Sequence, residues 1–173
     1  MKRIAIQGEL GSFHDIAAHQ YFEGEQIELI CCATFEGVFE NIKRDPTVVG
    51  ICAIENTIAG SLLHNYELLR ESGTTVVGEH KLHIEHSICC LPDDDWSSLQ
   101  EVHSHPVALM QCGKFLANHP DLKAVEAEDT AGSAAYIAQH KVHGWAAICS
   151  AYAAHMYGMK VLQEGIHDNP HNY

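Results

Sequence analysis

Short apolar runs alternate along this chain with stretches in which apolar residues recur every three or four positions, and the two rhythms predict strands and helices in turn. Residues 3–7 read as a strand, and residues 12–22 as a helix that Ser12 would cap. Residues 26–32 predict a second strand. Residues 35–43 predict a helix with Phe35, Val38, Phe39 and Ile42 on one face. Residues 48–54 are almost continuously apolar, the signature of a strand buried on both faces, and residues 62–70 follow as a helix. Alternation of this kind implies an α/β fold with mostly parallel strands joined by crossover helices.

The pattern breaks near Thr75, where a second lobe is expected to begin. Residues 75–77 and 82–91 are strand-like and run into the turn Pro92-Asp93-Asp94-Asp95. Residues 101–103 predict a short strand leading through Ser104-His105-Pro106 into a helix over 107–116, with Pro106 at the first helical position. Residues 122–126 and 146–149 predict two more strands. Between them lies a helix over 130–139, capped by Asp129 or Thr130; a last helix over 150–157 stops at Gly158. The polar tail 167–173 is expected to return to the first lobe. The division is therefore 1–76 with 166–173 as one lobe and 77–165 as the other.

Composition narrows the function. A net charge of −13, with Arg3, Arg44 and Arg70 as the three arginines, argues against nucleic acid, whose phosphates need a basic face. No run of 18 apolar residues is present, so no membrane partner is expected, and no signal segment is legible, which predicts a cytoplasmic protein. The seven cysteines lack CxxC spacing and sit mostly in apolar runs, as buried thiols of a reducing compartment do. Fourteen histidines include the close pairs His83/His86 and His103/His105, but no third or fourth ligand completes a metal pattern, so no metal and no cofactor is expected.

Three loops can carry chemistry. Gly8-Glu9-Leu10-Gly11-Ser12-Phe13 joins a strand to a helix and could bring backbone amides to an anion, although such glycine turns serve many folds and the GxGxxG spacing is absent. Glu55-Asn56-Thr57-Ile58-Ala59-Gly60-Ser61 leaves the end of the third strand, where open α/β sheets bind ligands; a polar turn with Ser61 capping the next helix fits equally well. Ser104-His105-Pro106, with Gln111 further along, could hold a carboxylate at a helix start or serve simply as an N-cap.

Together these loops resemble the prephenate dehydratase family. The resemblance rests on Gly8-x-x-Gly11-Ser12-Phe13, on Ala53-Ile54-Glu55-Asn56-Thr57-x-x-Gly60-Ser61, and on Gly78-Glu79 before Leu82-x-Ile84-x-His86. It continues through Ser104-His105-Pro106-x-Ala108-x-x-Gln111-Cys112, Asp129-Thr130-Ala131 to Ala146-Ala147-Ile148, and Ile166-x-Asp168-Asn169-x-x-Asn172. Ala53, Val107 and Asn65 depart from residues usual in the family. The resemblance implies two lobes similar to type II periplasmic binding proteins, an interlobe cleft as active site, and decarboxylative dehydration of prephenate to phenylpyruvate.

On that resemblance Asn56, Ser104 and Gln111 are the expected catalytic donors facing one cleft. Glu55, Thr57, Gly60, Ser61, Gly11, Ser12, Phe13, His105 and Thr130 are expected to line the substrate, with Glu55 orienting its loop. The partner is a small-molecule substrate, and the assembly a homodimer. The family pattern continues into Thr-Arg-Phe, past Tyr173, so weak turnover is expected of these 173 residues, and no regulatory ACT domain is expected among them. Arogenate dehydration, or a silent dicarboxylate- or aromatic-acid-binding domain, remain the alternatives.

Overall fold

The structure, a computed structural model, describes residues 1–173 and divides into two compact units, Met1–Glu9 with Phe13–His83 and Tyr173, and Leu10–Ser12 with Ile84–Asn172. No helix is long and apolar enough to cross a membrane.

The first unit opens with β1 (Lys2–Gln7), α1 (Phe13–Tyr21), β2 (Ile27–Cys32), α2 (Phe35–Arg44) and β3 (Val49–Gly50). β1 is the central strand, parallel to β2 on one side and β3 on the other. Alternation sorts its side chains: Ile4 and Ile6 pack with Ala18 and Phe22, whereas Ala5 packs on the other face with Val38 and Val48. Thr34, not singled out from the sequence, caps α2, its Oγ1 accepting from Gly37 N at 3.2 Å. Next come the two-strand hairpin of β4 (Glu55–Asn56) and β5 (Gly60–Ser61), then α3 (Leu63–Ser72).

The third strand differs from expectation. Only Val49–Gly50 pairs regularly with β1, extended by one bond from Ile51 N to Ala5 O at 2.9 Å. β3 lies at the sheet edge, so the apolar residues beyond it find no second neighbour and are only partly buried. α1 begins at Phe13, and Ser12 just before it is buried. α3 starts after Leu62 with no side-chain cap, so Ser61 does not serve there.

The second unit comprises β6 (Ser87–Cys90), β7 (Glu101–Ser104), α4 (Pro106–Gln111), α5 (Gly113–Ala117), β8 (Lys123–Glu126), α6 (Thr130–His140), β9 (Trp145–Cys149), α7 (Ala151–Met156) and β10 (Lys160–Gln163). Its five strands run in the order β10-β6-β9-β7-β8. β7 is parallel to β8 and β9, while β6 is antiparallel to β9 and β10. The two faces of this sheet build separate cores. One gathers Ile88, Val102 and Ile148 with Leu109 and Phe115; the other gathers Cys89, Ala147 and Cys149 with Ile137 and Ala153.

Three expectations for this half are corrected. Residues 75–86 form no strand: Val76 and Val77 are exposed, because no neighbouring strand takes up their hydrogen bonds. The helix over 107–116 is two helices, broken at Cys112 (φ −112°, ψ 26°), and the Asp168 carboxylate receives the Lys114 N–H at 3.0 Å where the second begins. The unit boundary falls at His83/Ile84 rather than 76/77, and residues 166–172 belong to the second unit, with Tyr173 alone in the first. Backbone bonds explain that choice: Ile166 N donates to His86 O, Asp168 N to Gln111 O, and Asn172 O accepts from Ile84 N.

Candidate active site

The expected site residues fall into two groups, one in each unit. In the first unit, residues 55–61 form a β-hairpin rather than an open loop, with Glu55 opposite Ser61 and Asn56 opposite Gly60. Asn56 organises it. Its Oδ1 accepts from Ile58 N at 3.0 Å and Ala59 N at 2.8 Å, and its Nδ2 donates to Tyr173 O at 2.9 Å. Tyr173 O also accepts from Thr57 N at 3.0 Å, and Tyr173 N donates to Thr57 Oγ1 at 3.0 Å. A hydroxyl oxygen that accepts this bond directs its own proton elsewhere. Gly60 adopts φ +86°, a conformation that a side chain disfavours. Glu55 accepts from Tyr66 Oη at 2.9 Å, a bond that raises the tyrosine's pKa.

In the second unit the three expected residues take distinct positions. Ser104 ends β7, fully buried, and its hydroxyl donates to Ile148 O at 2.6 Å within the sheet. His105, not Ser104, caps α4, its Nδ1 accepting from Val107 N at 3.2 Å. Pro106 brings no N–H, so the start of α4 offers an anion fewer amides than its sequence suggests. Gln111 is buried at 6% exposure, and its Oε1 accepts from both His86 Nε2 (2.8 Å) and Asn172 Nδ2 (2.9 Å). Burial lowers the His86 pKa and outweighs the bond to Gln111, with His167 pushing in the same direction as burial. His86 is therefore neutral near pH 7, with its proton on Nε2.

Leu10–Ser12 belong with this unit. A Cβ on Gly11 would stand 3.1 Å from Ala153 Cβ, at φ +89°. Ser150 Oγ lies 3.4 Å from Gly11 O, and Tyr157 Oη donates to Leu10 O. Asp129 Oδ1 caps α6 by accepting from Ala131 N at 2.8 Å, so Thr130 is its first helical residue and is only partly buried. Phe13, the first residue of α1, lies in the first unit and is partly buried. The sequence named His86 as part of a motif and of the close pair His83/His86, and Asn172 only as part of a motif. A polar residue directly before the buried strand Ser87–Cys90 was the signal available for His86.

No group of three or more His, Cys, Asp or Glu side chains could hold a metal ion. Three of the thiols are poor nucleophiles: burial pushes Cys52 and Cys90 up to about 11 and Cys112 up to about 12. The chemistry that these two groups can perform is that of neutral hydrogen-bond donors: amides and a hydroxyl.

Known proteins extend the picture. Arogenate dehydratase 1 of Petunia hybrida is 36% identical over 171 residues, which is 98% of this chain but 40% of that protein. The chain thus spans about two fifths of this curated relative's length. Among solved structures, GqqA, described as a novel type of quorum quenching acylase, superposes with a TM-score of 0.84 at 30% identity, covering 96% of this chain and 60% of that one. Prephenate dehydratase from Arthrobacter aurescens in complex with L-Phe superposes with a TM-score of 0.88 at 23% identity, covering 98% and 57%, and so shares the fold. The prephenate dehydratase family model matches from Ile4 to Tyr173 and leaves three residues outside, so the chain belongs to the prephenate dehydratase family.

Proposed function

We propose that this domain performs the decarboxylative dehydration of prephenate to phenylpyruvate, with Gln111 among the groups that meet the substrate. The observation that carries this is the family match over residues 4–173. The reaction expels the ring hydroxyl and releases one carboxylate as CO2, and aromatisation of the ring drives both. The protein has to orient the substrate, donate to the leaving oxygen and hold the charges, work that neutral donors can do. Gln111 suits the task as a buried neutral amide whose oxygen is fixed by two donors. Asn56 and Ser104 shape their surroundings through Tyr173 O and Ile148 O, and act in this reading by holding the hairpin and the end of β7.

A second reading, arogenate dehydration, is supported by the Petunia relative. The acylase chemistry named for GqqA asks for an activated nucleophile. Ser104 gives its proton to a backbone carbonyl, and the thiols of Cys52, Cys90 and Cys112 are held protonated by burial, so the dehydratase reading fits these side chains better. Seven thiols without a disulfide suit a reducing cytoplasm, where we place the protein as a homodimer working without a cofactor.

The test is an absorbance assay of phenylpyruvate from prephenate, run beside an assay of phenylalanine from arogenate. Product from prephenate is expected, with Gln111→Leu lowering kcat/KM by roughly ten- to a hundredfold, the worth of a hydrogen bond to a charged group. A folded protein yielding product from neither compound would overturn the proposal.

A further inference from the structure

Tyr173, unlike residues 166–172, belongs to the first unit, and its peptide groups hold the hairpin of β4 and β5. Asn56 Nδ2 and Thr57 N donate to its O at 2.9 and 3.0 Å, and its own N donates to Thr57 Oγ1 at 3.0 Å. Any residue but proline can make these main-chain bonds, so they do not by themselves ask for tyrosine. The ring supplies the difference. Lys81 Nζ stands over it, 4.1 Å from its centroid, and the His83 ring lies tilted against it at 5.0 Å. Lys2, Arg3 and Arg70 lie beside carboxylates at 2.7, 2.9 and 3.7 Å, whereas Lys81 has no carboxylate beside it and faces the ring. An ammonium at this range is attracted by the negative face of the ring. The ring is therefore gripped by the segment 81–83 while the main chain of the same residue grips the hairpin.

We infer that Tyr173 is a positioning residue for the hairpin 55–61: Lys81 and His83 hold its ring, and the held ring fixes the peptide groups to which Asn56 and Thr57 are tied. The inference rests on the reading in which this hairpin serves the prephenate reaction, and adds which side chains keep it in place.

Amide hydrogen exchange tests the hold without reference to activity. Lys81 is exposed, so Lys81→Met leaves the fold intact, and it should speed exchange at Thr57, Ile58 and Ala59 about two- to fivefold, the worth of an exposed cation–π pair. Tyr173→Ala, which also loses the His83 contact, should speed it further, with the amides of β1 unchanged. Tyr173→Phe and Lys81→Arg keep a ring and a cation and should exchange like the parent protein. Unchanged exchange at 57–59 in Lys81→Met or in Tyr173→Ala would overturn the inference. Kinetics with prephenate test the positioning role. Tyr173→Ala should lose on the order of tenfold in kcat/KM, within the hundredfold that a misplacement of about 1 Å can cost, and Tyr173→Phe should retain most of the parent's value. A Tyr173→Ala protein whose hairpin exchanges faster at unchanged kcat/KM would overturn the positioning role and leave the dehydratase reading standing. A parent protein that forms no product from prephenate sinks that reading instead, and exchange at 57–59 still decides whether the ring holds the hairpin.

Discussion

At the scale of single residues, two glycines with nearly the same backbone angle separate conformational strain from steric conflict. Gly60 and Gly11 have φ of +86° and +89°, but a Cβ on Gly60 meets nothing within 4 Å, whereas one on Gly11 lies 3.1 and 3.2 Å from Ala153 Cβ and Cα. Gly60→Ala should therefore cost only the left-handed penalty, about 1–2 kcal/mol. Gly11→Ala adds a close contact with helix backbone and should cost more. At roughly 2–4 °C per kcal/mol for a chain of this size, thermal melts of the two variants should differ visibly, with Gly11→Ala the lower. Equal melting temperatures would show that α7 yields without cost. Sequence inspection marks both positions as glycine turns, but cannot rank them, because Ala153 is 142 positions away from Gly11 along the chain.

At the scale of elements, local signals work where the partner is near in sequence and fail where it is not. Thr34, Asp129 and Ser150 each cap the helix that follows them, receiving N–H groups from Gly37, Ala131 and Ala153. The cap on α6 is purely local, so Asp129→Ala should lower stability by about 1 kcal/mol, within the usual range of 0.5–2 for lost caps. A melt unchanged to within a degree would refute that assignment. The start of α5 is different. Its N–H from Lys114 goes to Asp168, 54 residues later, and nothing in the helical periodicity of 107–116 foretold a break at Cys112. The strands over 75–77 and 82–86 misled for a related reason: β-branched residues fit a strand, but a strand requires a neighbour to bond with.

At the scale of the whole molecule, the thiols offer the simplest probe of packing. Cys31 is exposed and Cys52 partly buried, while Cys32, Cys89, Cys90, Cys112 and Cys149 are buried in the two units. In the native protein a thiol reagent should modify Cys31 quickly and Cys52 slowly, since burial pushes the latter's pKa up to about 11. The other five should react only on unfolding. Rapid modification of more than two thiols in the folded state, read by mass spectrometry, would show that the cores are looser than described. Charge at this scale is spent on the surface: Arg3 pairs with Asp45 at 2.9 Å, and Arg70 lies 3.7 Å from Glu71.

The sequence alone determined the α/β alternation, the Asp129 cap of α6, the burial of most cysteines and the family, because these depend on short-range periodicity and on motifs read in order. Tertiary structure decided which apolar runs became strands, that residues 166–172 joined the second unit, and that Ser104 gave its proton to Ile148 O while Gln111 was clamped by His86 and Asn172. The side-chain pairings among these join polar groups 25 or more residues apart. A buried hydrogen-bonding group must find a partner, but residue order does not say which of the many distant candidates folding will bring to it.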